Sequence, residues 1–299
     1  MKILILGNKG YIGSALSNYL TQAEFVVDGV DIGWFEKRSS PLNYDYKNLS
    51  KEYITNYDAI ILLAGHSSVP MCKNNMVSAF KNNVSNFIDL LSKIKAGQKF
   101  IYASSSSVYG DTASSLATEN WDRFRPKSYY DLTKQEIDFY AELSNVEYYG
   151  LRFGTVNGCG LTSNFRTDIM INKMYHTYYL NRKIEVFNTH VSRPILGIND
   201  LCEAVEFILN GKDHRGIYNL ASFNSTVKDI TTEFAKYLPD VNIVNLGNTP
   251  TYNFSIDTSK FSNTYNFKFT DTVENIINDI KEKYTTVHSS IREWSVEYV

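Results

Sequence analysis

Lys2-Ile3-Leu4-Ile5-Leu6-Gly7-Asn8-Lys9-Gly10-Tyr11-Ile12-Gly13 joins an apolar run to a helical pattern through three glycines. Ile3–Leu6 is an unbroken apolar run of strand length, and Ile12–Leu20 behind it carries helical spacing. Between them, Gly7, Gly10 and Gly13 stand at GxxGxxG spacing. Glycines there allow a tight turn and let the backbone approach a pyrophosphate, whose charge then meets the positive end of the helix. The next apolar run, Phe25–Val30, ends at Asp31, 18 residues after Gly13. A carboxylate at that strand tip hydrogen-bonds the hydroxyls of an adenosine ribose, although an Asp before Gly33 also suits a plain turn. Lys37 and Arg38 follow closely and are placed to hold a 2′-phosphate instead. NAD is the expected cofactor, with NADP left open.

Working outward, Ala59–Leu63, Phe100–Ala103 and Glu147–Arg152 read as further strands, separated by helical spacing over Met76–Lys93 and Tyr129–Leu143. Strands apolar on both faces that alternate with helices predict an α/β protein with a Rossmann-type doubly wound parallel sheet. After about residue 155 the pattern turns irregular. A helix near Asp168–Leu180, a strand at Lys183–Phe187 and a helix over Asp200–Leu209 are followed by a strand at Ile217–Leu220. Helices are expected again over Val227–Tyr237 and Asp271–Tyr284. A smaller C-terminal substrate-binding lobe is expected from these later segments.

Composition narrows the function classes. Among 299 residues, 30 Lys and Arg face 32 Asp and Glu, a net charge of −2, so neither a nucleic-acid footprint nor a polybasic membrane patch is indicated. Cys72, Cys159 and Cys202 lie far apart without a CxxC pair, which argues against a structural metal or a disulfide framework. The apolar run after Met1-Lys2 is too short for a signal-peptide core, and Ala59–Gly65, the longest run elsewhere, falls far short of a membrane span. A cytoplasmic protein is expected.

Two segments carry chemistry. Ala103-Ser104-Ser105-Ser106-Ser107-Val108-Tyr109-Gly110-Asp111 follows the fourth strand, and Tyr130-Asp131-Leu132-Thr133-Lys134 lies 25 residues beyond Ser105, counted to Tyr130. Tyr130 and Lys134 are i and i+4, one face of a helix. Bringing a phenol pKa from about 10 to about 7 takes roughly 4 kcal/mol of preferential anion stabilisation. The Lys134 ammonium and a cationic nicotinamide ring are suited to supply it. Ser105 would orient a substrate hydroxyl. His66 and His190 lie nearest these segments and are assigned no role.

In these residues the chain resembles the extended short-chain dehydrogenase/reductases of the nucleotide-sugar epimerase/dehydratase group, over nearly its whole length. The family's glycine turn falls on Gly7, Gly10 and Gly13, with Tyr11 and Ile12 in the bulky positions, and its ribose-binding acid falls on Asp31. Leu63-Ala64-Gly65 matches the family's fourth-strand Leu-Ala-Ala turn, and Asn82 matches an Asn used near the cofactor. The resemblance makes Ser105, Tyr130 and Lys134 the catalytic set. Leu151-Arg152-Phe153 and Tyr218-Asn219-Leu220 match two later strands.

Arg193 and Asp200 match an Arg-(x)6-Asp segment whose Arg contacts the nucleotide diphosphate; Asn164, Arg166 and Asn172 lie where further substrate contacts are made. Sugar dehydratases of the family carry an Asp-Glu pair at the positions of Ser106 and Ser107, so dehydration is disfavoured here. The implied activity is an NAD-dependent nucleotide-sugar epimerase; the alternatives are an NAD(P)H-dependent 4-ketoreductase and a non-catalytic dinucleotide-binding protein. The implied partners are a nucleotide-diphosphate sugar and a second copy of the chain, through helices Met76–Lys93 and Tyr129–Leu143. Residues 1–154 and 183–210 are assigned to the NAD-binding domain, and 155–182 and 211–299 to the nucleotide-sugar-binding lobe.

Overall fold

Six strands form one parallel sheet: β1 (Lys2–Leu6), β2 (Val26–Val30), β3 (Ala59–Leu62), β4 (Lys99–Ser105), β5 (Glu147–Phe153) and β6 (Gly216–Leu220). Their order is β2-β1-β3-β4-β5-β6. The computed structural model describes residues 1–34, 43–112, 115–212 and 214–288. Lys37 and Arg38 lie outside them.

The sheet is doubly wound because successive residues feed two cores. Ile3 and Ile5 pack on one face with Ile61, Ile101 and the helices Tyr11–Gln22 and Ile198–Asn210. Leu4 and Leu6 pack on the other with Ile60, Phe100, Phe87 and Ile137. β2 departs from the apolar pattern, carrying Asp28 and Gly29, because it is the sheet edge; the Tyr57 hydroxyl donates to Asp28 at 2.8 Å. Gly216–Leu220 forms the other edge, paired in register from Tyr149 to Phe153.

The chain runs from β1 outward to β2 and then crosses back to β3, so the sheet's switch point lies between β1 and β3. Ligands of open α/β sheets bind outside the carboxyl ends of the strands at that point.

Two features differ from the sequence reading. The helix expected over Met76–Lys93 is interrupted: Met76–Phe80 and Asn86–Lys93 flank a π-helical turn at Lys81–Ser85. The wide turn lets Asn82 line the cleft while buried Asn83 clamps the loop after β3, accepting from the His66 N–H at 2.8 Å and donating to the His66 carbonyl at 3.1 Å. A small sheet that periodicity did not reveal joins Phe223–Thr226, Ser192–Gly197 and Thr155–Asn157. Its strands are too short, at 3 to 6 residues, for an alternating pattern to register.

Asp200, at the head of the Ile198–Asn210 helix, is buried away from the cleft. Its carboxylate accepts from the backbone N–H groups of Thr270 (2.9 Å) and Asp271 (3.0 Å) and from the Ser222 hydroxyl (2.5 Å). Burial first, and the Asp200 charge second, push Asp271 up to about 6. A raised carboxyl pKa favours the neutral form in the fold, so its contribution is complete below the unfolded value near 4 and is lost as pH rises through about 6. Asp271→Asn is therefore expected to stabilise the protein at pH 8 by on the order of 1–2 kcal/mol and to leave it unchanged or weaker at pH 4. Urea denaturation at the two pH values checks this; an equal loss at both would contradict it.

Candidate active site

The loops after β1 to β5 enclose a cleft of about 720 Å³, a size that suits a cofactor with its substrate. Its floor is the glycine turn. Gly7 has φ +93°, and a Cβ there would meet the Ala64 backbone nitrogen at 2.6 Å. A Cβ on Gly13 would meet the Gly7 carbonyl oxygen at 1.9 Å. The first turn of the helix thus sits directly on the loop, with no acidic residue to compete for its N–H groups. Gly13→Ala is expected to cost about 1–3 kcal/mol from overpacking against backbone that has no room to shift. A thermal melt paired with a dinucleotide titration checks it: both should weaken, and an unchanged titration would contradict the close-approach account.

Asp31 lines the cleft at the tip of β2, its two oxygens accepting from the backbone N–H of Gly33 (2.7 Å) and of Lys9 (3.0 Å). Those bonds fix the carboxylate and leave lone pairs on each oxygen for a diol. Gly10, Tyr11, Ile12, Leu63, Ala64 and Asn82 also line the cleft. Tyr11 has a second task, donating its buried hydroxyl to the Gly158 carbonyl at 2.6 Å. Asn82 Nδ2 lies 3.2 Å from His66 Nδ1. If that amide donates, the neutral imidazole carries its proton on Nε2. Burial lowers the His66 pKa, which keeps the ring neutral, and Nε2 is buried with no partner among the described residues. The cradle that a Cβ would fill fits a bound dinucleotide.

The reacting end lies at the carboxyl tips of β4 and β5. Ser105 ends β4, and Tyr130 and Lys134 project from the Tyr129–Glu142 helix, which Ser128 caps by accepting from the Asp131 N–H at 3.1 Å. Tyr130 hydrogen-bonds Ser105, and the Lys134 ammonium lies 5.8 Å from the Tyr130 ring centroid while donating to the Ala103 carbonyl at 2.7 Å. Burial pushes the Tyr130 phenol up to about 12, opposed by the Ser105 bond and the Arg166 charge. Burial likewise brings Lys134 down to about 8. Both shifts favour neutral side chains, as a closed site with its charges unmatched requires.

Arg166 and Arg193 both line the cleft. Arg193 donates to the Ser192 carbonyl at 3.0 Å and stands over Phe254 at 5.6 Å; burial lowers its pKa to about 10. Arg166 holds Asp168 through Nε (2.6 Å) and Nη2 (3.0 Å).

The two asparagines read as substrate contacts do not line the cleft. Asn172 is fully buried, accepting from the Gly158 N–H at 2.8 Å and donating to the Tyr11 hydroxyl at 3.3 Å. Asn164 donates to the Lys9 carbonyl at 3.2 Å and braces the glycine turn. Both are corrections: their amides are consumed by backbone that would otherwise lie unpaired. Conversely, Tyr252, Phe254 and Trp34 line the cleft with no motif to announce them.

Among the described residues no group of His, Cys, Asp and Glu could hold a metal ion, and no helix is long and apolar enough to cross a membrane.

The "NAD dependent epimerase/dehydratase family" model matches residues 3–221. Protein CapI of Staphylococcus aureus is 29% identical over 231 residues, covering 69% of this chain and 68% of that protein. A UDP-glucose 4-epimerase of Mycoplasma genitalium is 23% identical, covering 96% of this chain and 97% of that one. The solved structure of a UDP-glucuronic acid 4-epimerase from Bacillus cereus superposes with a TM-score of 0.78 at 22% identity, over 97% of this chain and 99% of that one. With the glycine cradle, the switch-point cleft and a family match over most of its length, this chain belongs to the NAD dependent epimerase/dehydratase family.

Proposed function

We propose that this protein is a nucleotide-sugar epimerase that works by transient oxidation of a sugar hydroxyl to a ketone. The observation that carries the reading is the single cleft in which Tyr130, hydrogen-bonded to Ser105 and backed by Lys134, faces the same space as two guanidinium groups. NAD, when bound, supplies a cationic ring and accepts and returns a hydride. Gly7, Gly10, Tyr11, Ile12, Gly13, Asp31, Leu63, Ala64 and Asn82 would hold it, with Lys134 at the nicotinamide ribose. Tyr130 then removes the proton from the sugar hydroxyl that Ser105 orients, and Lys134 in its ammonium form steadies the phenolate. Arg193 presents a bidentate fork to the diphosphate. Serines stand where the family's dehydratases need an acid and a base, which supports epimerisation over elimination.

Burial that keeps Tyr130 protonated also suits a general acid, the role it would take in a 4-ketoreductase. The cofactor retained through gel filtration separates the two. Near-stoichiometric NAD supports the closed cycle of an epimerase; an empty protein that prefers NADPH supports the ketoreductase.

The same reading gives residues 1–154 and 183–210 mainly to the cofactor and 155–182 and 211–299 mainly to the sugar, apart from the Gly216–Leu220 strand built into the central sheet. It also makes the protein a homodimer. Val77 (73% exposed), Phe80, Leu132, Phe139 and Leu143 (86% exposed) leave apolar surface on the two helical segments expected at the interface. Light scattering should return twice the chain mass, and a monomer at micromolar concentration would contradict the dimer.

A further inference from the structure

The residue after Tyr130 on its helix is a wholly buried carboxylate, Asp131. Its Oδ2 accepts from the Tyr252 hydroxyl and from the Lys127 N–H at 3.3 Å. Its Oδ1 lies 2.5 Å from Ser107 Oγ, and an ionised carboxylate only accepts, so Ser107 spends its one proton there. Ser107 Oγ is 2.8 Å from Ser105 Oγ, so Ser105 spends its own proton on Ser107. Two lone pairs remain on Ser105 Oγ. The Ser107 N–H donates to one at 3.2 Å, and the Tyr130 hydroxyl, which hydrogen-bonds Ser105, donates to the other. The hydroxyls therefore run head to tail, from Tyr130 to Ser105 to Ser107 to Asp131.

We propose that Asp131 is a positioning residue that holds Tyr130 as a neutral phenol through the Ser107 and Ser105 hydroxyls, and so raises the pH at which Tyr130 removes a proton. The inference rests on the reading above in which Tyr130 is the proton acceptor. A phenolate needs a donor, and the side chain that hydrogen-bonds Tyr130 has one proton to offer. To give it, Ser105 must turn away from Ser107, whose own proton stays with Asp131. Ser107 Oγ then loses its donor. Asp131 thus competes, two serines away, for the hydrogen bond that would stabilise the phenolate, a bond worth about one to two pH units. The other charged or titratable groups facing Tyr130 are Lys134 on its own helix, Arg166, and Cys72 from the Val69–Asn74 helix. Cys72 also faces Asp131, as does Tyr252, while the Lys127 ammonium pairs with Asp111. None of these groups is a link in the hydroxyl chain, so a change within the chain leaves them in place.

The test uses the NAD-loaded protein and needs no sugar. The ultraviolet phenolate band of Tyr130 is read, as pH is raised, from the difference between each protein and the same protein carrying Tyr130→Phe. In Asp131→Asn the Lys127 N–H keeps the amide oxygen on its side, so the amide nitrogen donates to Ser107. The chain then reverses: Ser107 donates to Ser105, and Ser105 donates to the phenolate. The phenolate midpoint is expected to fall by about one pH unit or more. Ser107→Ala keeps the Asp131 charge but frees the Ser105 proton, so its midpoint should fall by a similar amount; it decides the matter if the Asn variant fails to fold. An unchanged or raised midpoint in Asp131→Asn would overturn the inference. So would a fall in Asp131→Asn with none in Ser107→Ala, which would make Asp131 a charge acting through space. The same shift should appear in the acid limb of kcat/KM for UDP-glucose or GDP-mannose, whichever turns over. Failure of every nucleotide sugar to turn over would overturn the nucleotide-sugar reading and leave the phenolate titration to judge Asp131 on its own.

Discussion

Tyr130→Phe is expected to lower kcat by about 10³-fold, within the range that a positioned acid–base group contributes. The substitution removes one oxygen from a buried ring. Lys134 keeps its bond to the Ala103 carbonyl, and Ser105 keeps its bond to Ser107. Nothing that lines the glycine turn changes, so retained NAD should stay at the unmutated level, and the melting temperature should move little. The split between lost turnover and kept cofactor is the informative outcome. Turnover within tenfold of the unmutated enzyme would show that another group takes the proton. Loss of cofactor together with turnover would show a packing role for the phenol.

The second large effect concerns stability. Asp138 is fully buried one helical turn beyond Lys134 and accepts from the Tyr102 hydroxyl (3.0 Å), the Ser104 hydroxyl (3.0 Å) and Arg152 Nε (2.8 Å). Arg152 continues the network, donating through Nη1 to the Tyr109 hydroxyl at 2.8 Å, and that hydroxyl donates to Asn219 at 2.7 Å. Burial works against the Arg152 charge, but Asp138 more than offsets it and holds the guanidinium protonated. Asp138→Leu strands that charge among Tyr109 and Phe124, and the expected loss is about 3–5 kcal/mol. Removing both partners, as Asp138→Leu with Arg152→Met, should cost less than the single change, because no uncompensated charge is left. Urea denaturation of the two variants decides it. A double variant no more stable than Asp138→Leu would contradict the stranded-charge account.

The parts of this site that the sequence announces are those whose geometry is local. Gly7 to Gly13 form a turn on a helix end, Asp31 ends a strand, and Tyr130 and Lys134 are one helical turn apart, so spacing alone brings them to the sheet's carboxyl edge. Ser105 needed one long-range step, the parallel pairing of β4 with β5, and the apolar runs supplied it. Asn83 has no motif of its own: a π-helical turn buries it against the loop after β3 while Asn82 faces the cleft. Tyr252 reaches Asp131 across 121 residues of chain, a contact that no periodicity encodes. Asn172 misled because a polar residue in a substrate-contact segment can equally be spent on the backbone of Gly158. His66 had the clearest unused signal, standing directly after the Leu63-Ala64-Gly65 turn.

A closed redox cycle on a nucleotide sugar needs no added cofactor. The purified protein is incubated alone with UDP-glucose, GDP-mannose and their uronic acids, and the sugar ring protons are followed by NMR. One probe is expected to convert to an epimer until the two reach equilibrium, with no net change in absorbance at the reduced-nicotinamide band. Conversion that begins only on addition of NADPH, and consumes it mole for mole, would contradict the cycle and make the protein a reductase.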